Sequence, residues 1–411
     1  TSTAAQPGVL FSATEAVAAA RSYASSITGG VIERDRAGVV PYAELAALDA
    51  SGLLGITVPA SYGGPDLSPV VLAEVIRTIA AVDPAIAQIP QAHFLFVDVI
   101  AVHGSAAQQE RLFADVLAGA RLGNGMAERG GQHAQDLKTR LTGSRRAGRD
   151  GLDRQALRLV GRKYYCTGAI SARWIGVSAL DDEDRLVLAL VERDAPGVTV
   201  GDDWNVMGQR STVSGSAVFD QVPVDPGLVI AYRGAFEVPQ QLGARAQLVH
   251  AAIQVGIAGG ALRDAGEFVR TRARPFFEAT RAGWAGTAAA DPHTIYRFGR
   301  LATQVRAAQA LLASAAAELE EVGRVPRDAR AAGRGSIAVA EAKAFASDVA
   351  VEVASDLFAL AGASAADERY DLSRHWRNAR THASHDPVDW KYHHVGNFGL
   401  NHVLPPNHGQ L

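Results

Sequence analysis

Three stretches in the C-terminal part of the chain constrain its fold more than anything else: "AQLVHAAIQVGIAGGALRDAGEFVRTRA", "PHTIYRFGRLATQVRAAQALLASAAAELEEVG" and "SIAVAEAKAFASDVAVEVASDLFALAG". Each is about thirty residues long, rich in alanine, and apolar on more than one side. Helices of that length span about 45 Å. They pack as a bundle, and apolar surface left over is covered by other copies of the chain. A homotetramer, built as a dimer of dimers, is the expected assembly.

The rest of the sequence has two other textures. Residues 1–120 read as helices. Ser68-Pro69 is a helix start, with serine at the cap and proline in the first turn, and "VVLAEVIRTIAAV" then runs to Asp83-Pro84. Ser105 opens "AAQQERLFADVL", which Gly119 closes. Residues 121–230 break into short apolar or alternating runs. "ALRLVGRKYYCTG", "RLVLALVER" and "GSAVFDQVPV" read as strands, and the basic, Gly-rich 140–155 as an exposed loop. Three domains follow: 1–120 helical, 121–230 β, 231–411 helical. The β segment is too short for a doubly wound sheet. Neither GxGxxG nor GxxxxGK[ST] occurs, and "GIAGG" at 256–260 lies inside a helix, where it marks close helix packing.

With 411 residues, 48% hydrophobic and 20% charged, the chain reads as globular. Its net charge is −3, and it has no basic stripe with interleaved aromatics, so nucleic acid is not an expected partner. Apolar runs such as "LVLALV" are too short to span a bilayer, and the N-terminus lacks a secretory pattern; the cytoplasm is the expected location. One cysteine, Cys166, excludes an internal disulfide framework and Cys-based zinc sites. Four of the twelve histidines fall within "WRNARTHASHDPVDWKYHH", 376–394. His382 and His385 are spaced i, i+3, but no third ligand follows at a fixed spacing, and His393-His394 point apart. No metal is expected. Proton chemistry fits an imidazole better, because its ordinary pKa lies near neutrality.

Several motifs carry a resemblance. "LLGITVPASYGG", "GNGMAERGG", "GRKYYCTGA", "WNVMGQRSTVSGSAVFDQVPV" and "RYDLSRHWRNAR" resemble, in order, motifs of the acyl-CoA dehydrogenase superfamily. That resemblance implies a mainly α fold: an N-terminal helical domain, a middle β-barrel and a C-terminal four-helix bundle. "QAHF", "DDW", "TRARPF", "DPHTI" and "RTHASHDP" resemble the reduced-flavin monooxygenases of that fold, the branch of the dibenzothiophene monooxygenases and the oxidoreductases of sulfone utilisation.

The resemblance implies a flavin site. Asn124, Met126 and Ala127, with Cys166 and Thr167, would flank the ring, the Thr167 hydroxyl would reach N5, and Trp204 would cover one face. Arg272 and Arg274 stand where the fold places an arginine on the phosphate, since a guanidinium fork matches that group. FAD-using relatives hold the adenylate half with a glutamine and a Gly-Gly pair. Here "LFALAGASAADERY" keeps only Gly362, which favours FMN over FAD. Ser364 stands where relatives carry an arginine, and Arg369 is the nearest substitute. Phe94, Phe96 and Val97 would line the substrate pocket, with Tyr165 and His382 as polar groups at its edge.

The dehydrogenases carry a catalytic glutamate near the Asp386 position; here it reads "SHDP". His385, and His93 across the pocket, become the proton-handling candidates beside Thr167 and Asp386. The expected function is a two-component monooxygenase. A separate flavin reductase would supply FMNH2, O2 would add at C4a of the flavin, and a small apolar substrate, such as an organosulfur compound, would be oxygenated. An FAD-dependent acyl-CoA dehydrogenase with Asp386 as base is the alternative enzyme. A flavin-less helical scaffold is the non-enzyme alternative.

Overall fold

A computed structural model describes residues 7–133, 136–143 and 157–411. Seven helices come first: α1 (Ala13–Ile27), α2 (Val31–Ala37), α3 (Tyr42–Asp49), α4 (Pro69–Ala80), α5 (Pro84–Gln88), α6 (Gln91–His103) and α7 (Ala106–Leu117). Their starts follow local chemistry. Ser12 and Ser105 each form a reciprocal capping box, with Glu15 and Gln108. Asp83 accepts from the Ile86 N–H. Ser68 caps α4 by position only, without a side-chain bond.

Among the described residues eight strands follow: β1 (Leu122–Gly125), β2 (Arg140–Thr142), β3 (Leu157–Lys163), β4 (Trp174–Leu180), β5 (Leu186–Glu192), β6 (Val198–Val200), β7 (Ala217–Val224) and β8 (Val229–Ala231). They form one sheet in the order β6-β7-β3-β2-β4-β5-β8, with β1 parallel to β4. No pairing among the described residues joins β6 to β8, so the barrel implied by the resemblance is seen here as a sheet. The expected loop at 140–155 begins instead as strand β2, and from 144 onwards it lies outside the described residues. At Gly176 of β4 an added Cβ would lie 2.6 Å from the Phe96 ring. The missing side chain lets α6 lie directly on the sheet.

The long helices are α8 (Leu242–Thr271), α10 (Pro292–Val322) and α11 (Ala329–Ala361), with the short α9 (Phe277–Arg281) between the first two. Two more, α12 (Ser373–Ala383) and α13 (Val388–Asn401), follow α11. Helix α8 packs against α11, α10, α4 and α12, so it is buried along most of its length. The glycines of "GIAGG" work as expected. A Cβ at Gly256 would lie 2.5 Å from Ala80 Cβ, and one at Gly260 would lie 2.5 Å from the Ala81 carbonyl oxygen. Among the described residues one apolar stretch, Pro84–His103, is long enough to cross a membrane, and 72% of its window is buried inside the protein.

Candidate active site

The end of β1, the turn after β3 and the loop 204–216 meet at one edge of the sheet. Asn124 is spent locally: its Nδ2 donates to the Tyr165 carbonyl at 3.3 Å and its Oδ1 accepts from the Met126 N–H at 3.0 Å. Met126 O accepts from Lys163 Nζ and Ser178 Oγ, and Ala127 O from the Tyr164 N–H. Cys166 is fully buried, and burial pushes its thiol up to about 12, which makes it unreactive. Tyr165 takes a left-handed backbone, φ 60°, and its ring stays exposed. Trp204 stands edge-on to it, centroids 6.1 Å apart, and its indole donates to the Gln209 carbonyl at 3.0 Å. Arg129 covers the Tyr164 ring at 3.2 Å. The result is a half-open aromatic corner beside Thr167.

Thr167 Oγ1 lies 2.6 Å from Ser214 Oγ, which lies 2.8 Å from Thr212 Oγ1. Thr212 donates to the Gln209 carbonyl at 2.8 Å. Gln209 joins this corner to helices from both ends of the chain: its N–H donates to Asn378 Oδ1 of α12 at 2.6 Å and its amide nitrogen to Gln88 Oε1 of α5 at 2.6 Å. An added Cβ at Gly208 would sit 2.0 Å from the Arg377 carbonyl oxygen, so only glycine lets α12 dock here. Arg377 fixes that dock through Asp35 and Asp371, at 2.6 and 2.7 Å.

His382 lies one turn beyond Asn378 on the same face of α12. Its Nε2 is 3.0 Å from Nδ1 of His250 on α8. The His250 ring stacks on His385, centroids 4.2 Å apart, and His385 Nδ1 is 3.6 Å from Asp386 Oδ1. Burial first, then the neighbouring His385, pushes His250 and His382 well below the ordinary imidazole range. Nδ1 of His382 and the amide oxygens of Gln247 and Gln254 are buried without a partner among the described residues. Such atoms mark a place where a polar ligand or water belongs. His250 went unnoticed in the sequence; its signal was a polar residue within an otherwise apolar helix. No group of three described His, Cys, Asp or Glu side chains is placed to hold a metal.

Asp386 is buried between two cations. Lys343 Nζ contacts Oδ1, and Lys391 Nζ lies 2.9 Å from Oδ2. Burial would raise this carboxyl, but the His385 contact and the two lysine charges outweigh it and hold it far below the carboxylate range. Burial pulls Lys343 down from 10.5 to about 8 against the opposing pull of Asp386. A carboxylate paired this way with two ammonium groups is a weak base, which weighs against the reading of Asp386 as a catalytic base. Beside it opens a cleft of about 380 Å³, lined in part by Trp390, His394 and His408.

Other expected residues do not converge. His93 is fully buried and both ring nitrogens are used: Nε2 lies 2.9 Å from the Leu54 carbonyl, and Nδ1 accepts from the Leu122 N–H at 3.2 Å. It pins α6 to β1 instead of facing a pocket. Phe94 joins the helical core, whereas Phe96 and Val97 join the cluster beneath the sheet. Successive residues of a helix point in different directions, so 94–97 do not form one wall.

The arginines stand far off. Gly168 abuts Ile89, and Gln91, two residues on, donates to the Ala246 carbonyl at 3.4 Å, so Thr167 sits near the Ala246 end of α8. Arg272 is ~39 Å along that helix from Ala246, at about 1.5 Å per residue. There Arg272 and Arg369 flank the Tyr370 ring, each 4.9 Å from its centroid, and Arg274 is exposed nearby. Within one chain they cannot hold the phosphate of a flavin whose ring touches Thr167.

The chain matches the acyl-CoA dehydrogenase N-terminal, middle and C-terminal domains over residues 14–120, 125–222 and 248–390. It is 34% identical to a dibenzothiophene monooxygenase of Rhodococcus erythropolis over 95% of this chain and 94% of that one. It is 30% identical to a probable FMNH2-dependent monooxygenase, SfnC, of Pseudomonas putida, over 95% and 96% of the two chains. The FMN-bound crystal structure of TdsC from Paenibacillus sp. A11-2 superposes with a TM-score of 0.89 at 31% identity, covering 96% of this chain and 100% of that one. A probable acyl-CoA dehydrogenase of Mycobacterium leprae is more distant, at 28% identity over 83% of this chain and 82% of that one.

Proposed function

We propose that this chain, which belongs to the acyl-CoA dehydrogenase family and to its flavin-dependent monooxygenase branch, oxygenates a small organosulfur substrate with O2 and reduced FMN delivered by a separate reductase. The observation that carries this reading is the clamp on Asp386. Abstraction of a proton alpha to a thioester needs a competent base at this position, and the two lysines leave Asp386 too weak. Three histidines gather beside it instead, as a reaction that hands protons to oxygen requires.

The corner at Thr167 suits a flavin ring. Trp204 and Tyr165 offer aromatic surface, the Thr167 hydroxyl lies beside them, and polar atoms without a partner among the described residues lie on α8 and α12. When bound, reduced FMN supplies the electrons that activate O2. Thr167 would hydrogen-bond the ring edge. His382, with one nitrogen on His250 and the other without a partner among the described residues, holds a proton beside it. His385, exposed and stacked on His250, links that pair towards solvent. Asp386 stays ionised and orients His385. The test is an anaerobic titration with FMN, FMNH2 and FAD, followed by O2 and dibenzothiophene, with the product read by mass. A product heavier by oxygen, formed only with FMNH2, is the expected result. Flavin reduction by an acyl-CoA would restore the dehydrogenase reading, and failure to bind any flavin would leave a scaffold.

The arginine cluster acts, on this proposal, on the flavin of a neighbouring copy in a homotetramer. Arg274→Ala is then expected to weaken FMN binding by about 1.5–3 kcal/mol, the worth of a charge-assisted contact, and to change stability by less than about 0.5 kcal/mol. Titration calorimetry and thermal unfolding measure the two. A sedimentation mass of a single chain would remove the neighbour on which this assignment depends.

A further inference from the structure

The three hydroxyls beside the aromatic corner form a chain with a direction. Its inner end is the Gln209 carbonyl, which can only accept, and Thr212 donates to it at 2.8 Å. The Thr212 proton is then spent, so Ser214 must donate to Thr212, at 2.8 Å. The Ser214 proton is spent in turn, so Thr167 must donate to Ser214, at 2.6 Å. All three residues are buried, and no other partner of their hydroxyls appears among the described residues. The backbone N–H and carbonyl of Thr167 are occupied by Tyr165 and Asn124. What the Thr167 hydroxyl has left to offer a ligand is therefore a lone pair.

We propose that Ser214 and Thr212 act as positioning residues that make Thr167 a hydrogen-bond acceptor, and so bias the site towards reduced flavin. This rests on the flavin reading above. The N5 atom of a reduced flavin carries a hydrogen and donates, whereas N5 of an oxidised flavin carries a lone pair and only accepts. Thr167 can bond the first without disturbing the chain. To bond the second it must turn its proton outward, which reverses Ser214 and Thr212 and forfeits the bond to Gln209. One neutral hydrogen bond corresponds to about fivefold in affinity. An oxygenase fed by a separate reductase benefits directly, because it takes FMNH2 from a pool that also holds FMN.

The test is the ratio of dissociation constants for FMN and FMNH2, measured anaerobically on the full chain. Ser214→Ala frees the Thr167 proton, and Thr212→Val removes the acceptor that fixes Ser214. Each is expected to lower the FMN-to-FMNH2 ratio about fivefold, mostly by tightening FMN. Thr212→Ser keeps the hydroxyl and is expected to keep the wild-type ratio. A purely structural role would weaken both flavins together, and a ratio unchanged within twofold in both variants overturns the inference. Circular dichroism shows whether each variant folds; if Ser214→Ala does not, Thr212→Val interrupts the same chain at another link. A wild-type protein that binds neither flavin defeats the proposed function and this inference together. Binding of both flavins with unresponsive ratios defeats this inference alone.

Discussion

His93→Ala is expected to destabilise the fold by about 3–5 kcal/mol while leaving the folded protein able to bind flavin. The ring bridges Leu54 O and Leu122 N–H in a fully buried setting. Truncation strands a buried acceptor and a buried donor, each worth roughly 1–3 kcal/mol when unsatisfied, and opens a cavity. Denaturant unfolding at pH 7.5 measures the loss. The same residue shapes the acid response. Burial pushes its imidazole from 6.5 down to about 4, against the bond to Leu54. Between those values the unfolded chain takes up a proton that the folded chain refuses. Stability is therefore full above pH 6.5 and falls as the pH drops towards 4, by about 1.4 kcal/mol per unit. His250 and His382, also held well below the ordinary range, act with the same sign. His93→Gln should flatten the slope measured between pH 6.5 and 4.5. A variant as stable as wild type but without turnover would put His93 back in the reaction.

The sequence revealed the architecture because the fold rests on local signals. Ser105 with Gln108, Asp83 before Pro84, and three Ala-rich helices are each decided within a few residues of chain. The glycines of "GIAGG" were legible for the same reason: an Ala-rich helix with glycines at i and i+4 has few uses other than close packing. The site was legible only in part. Thr167, Trp204 and His385 drew attention because they sit in recognisable motifs. The hydroxyls of Ser214 and Thr212 carry no sequence signal, since serine and threonine in a loop are ordinary. His93 looked reactive because "QAHF" resembles a motif of the reduced-flavin monooxygenases. Its occupation depends on Leu54 and Leu122, tens of residues away, which no local pattern encodes. Asp386 looked like a shortened glutamate, and the lysines that disarm it come from two other helical positions. Charge partners and hydrogen-bond direction are properties of the assembled chain.

His382→Ala is expected to lower substrate oxygenation 10²- to 10⁴-fold, the usual effect of removing a general acid or base, with FMNH2 affinity changed less than threefold. The imidazole is neutral at working pH, because burial disfavours its charged form. One nitrogen is tied to His250 at 3.0 Å, and the other is buried without a partner among the described residues. A single neutral imidazole that gives up its proton must be resupplied. His250 is bonded to it at 3.0 Å, and His385, whose ring contacts His250 and which is half open to solvent, is the nearest route for resupply. His385→Ala should therefore slow turnover by impairing resupply, while a first turnover at acidic pH is less affected. His393 is exposed, and its described ring contacts are with Trp390 and His394; His393→Ala is the control and should match wild type. Single-turnover mixing of the FMNH2 complex with O2 and substrate separates these effects. If His382→Ala turns over normally while His385→Ala is inactive even in the first turnover, the exposed imidazole is itself the donor and the buried pair only holds it in place.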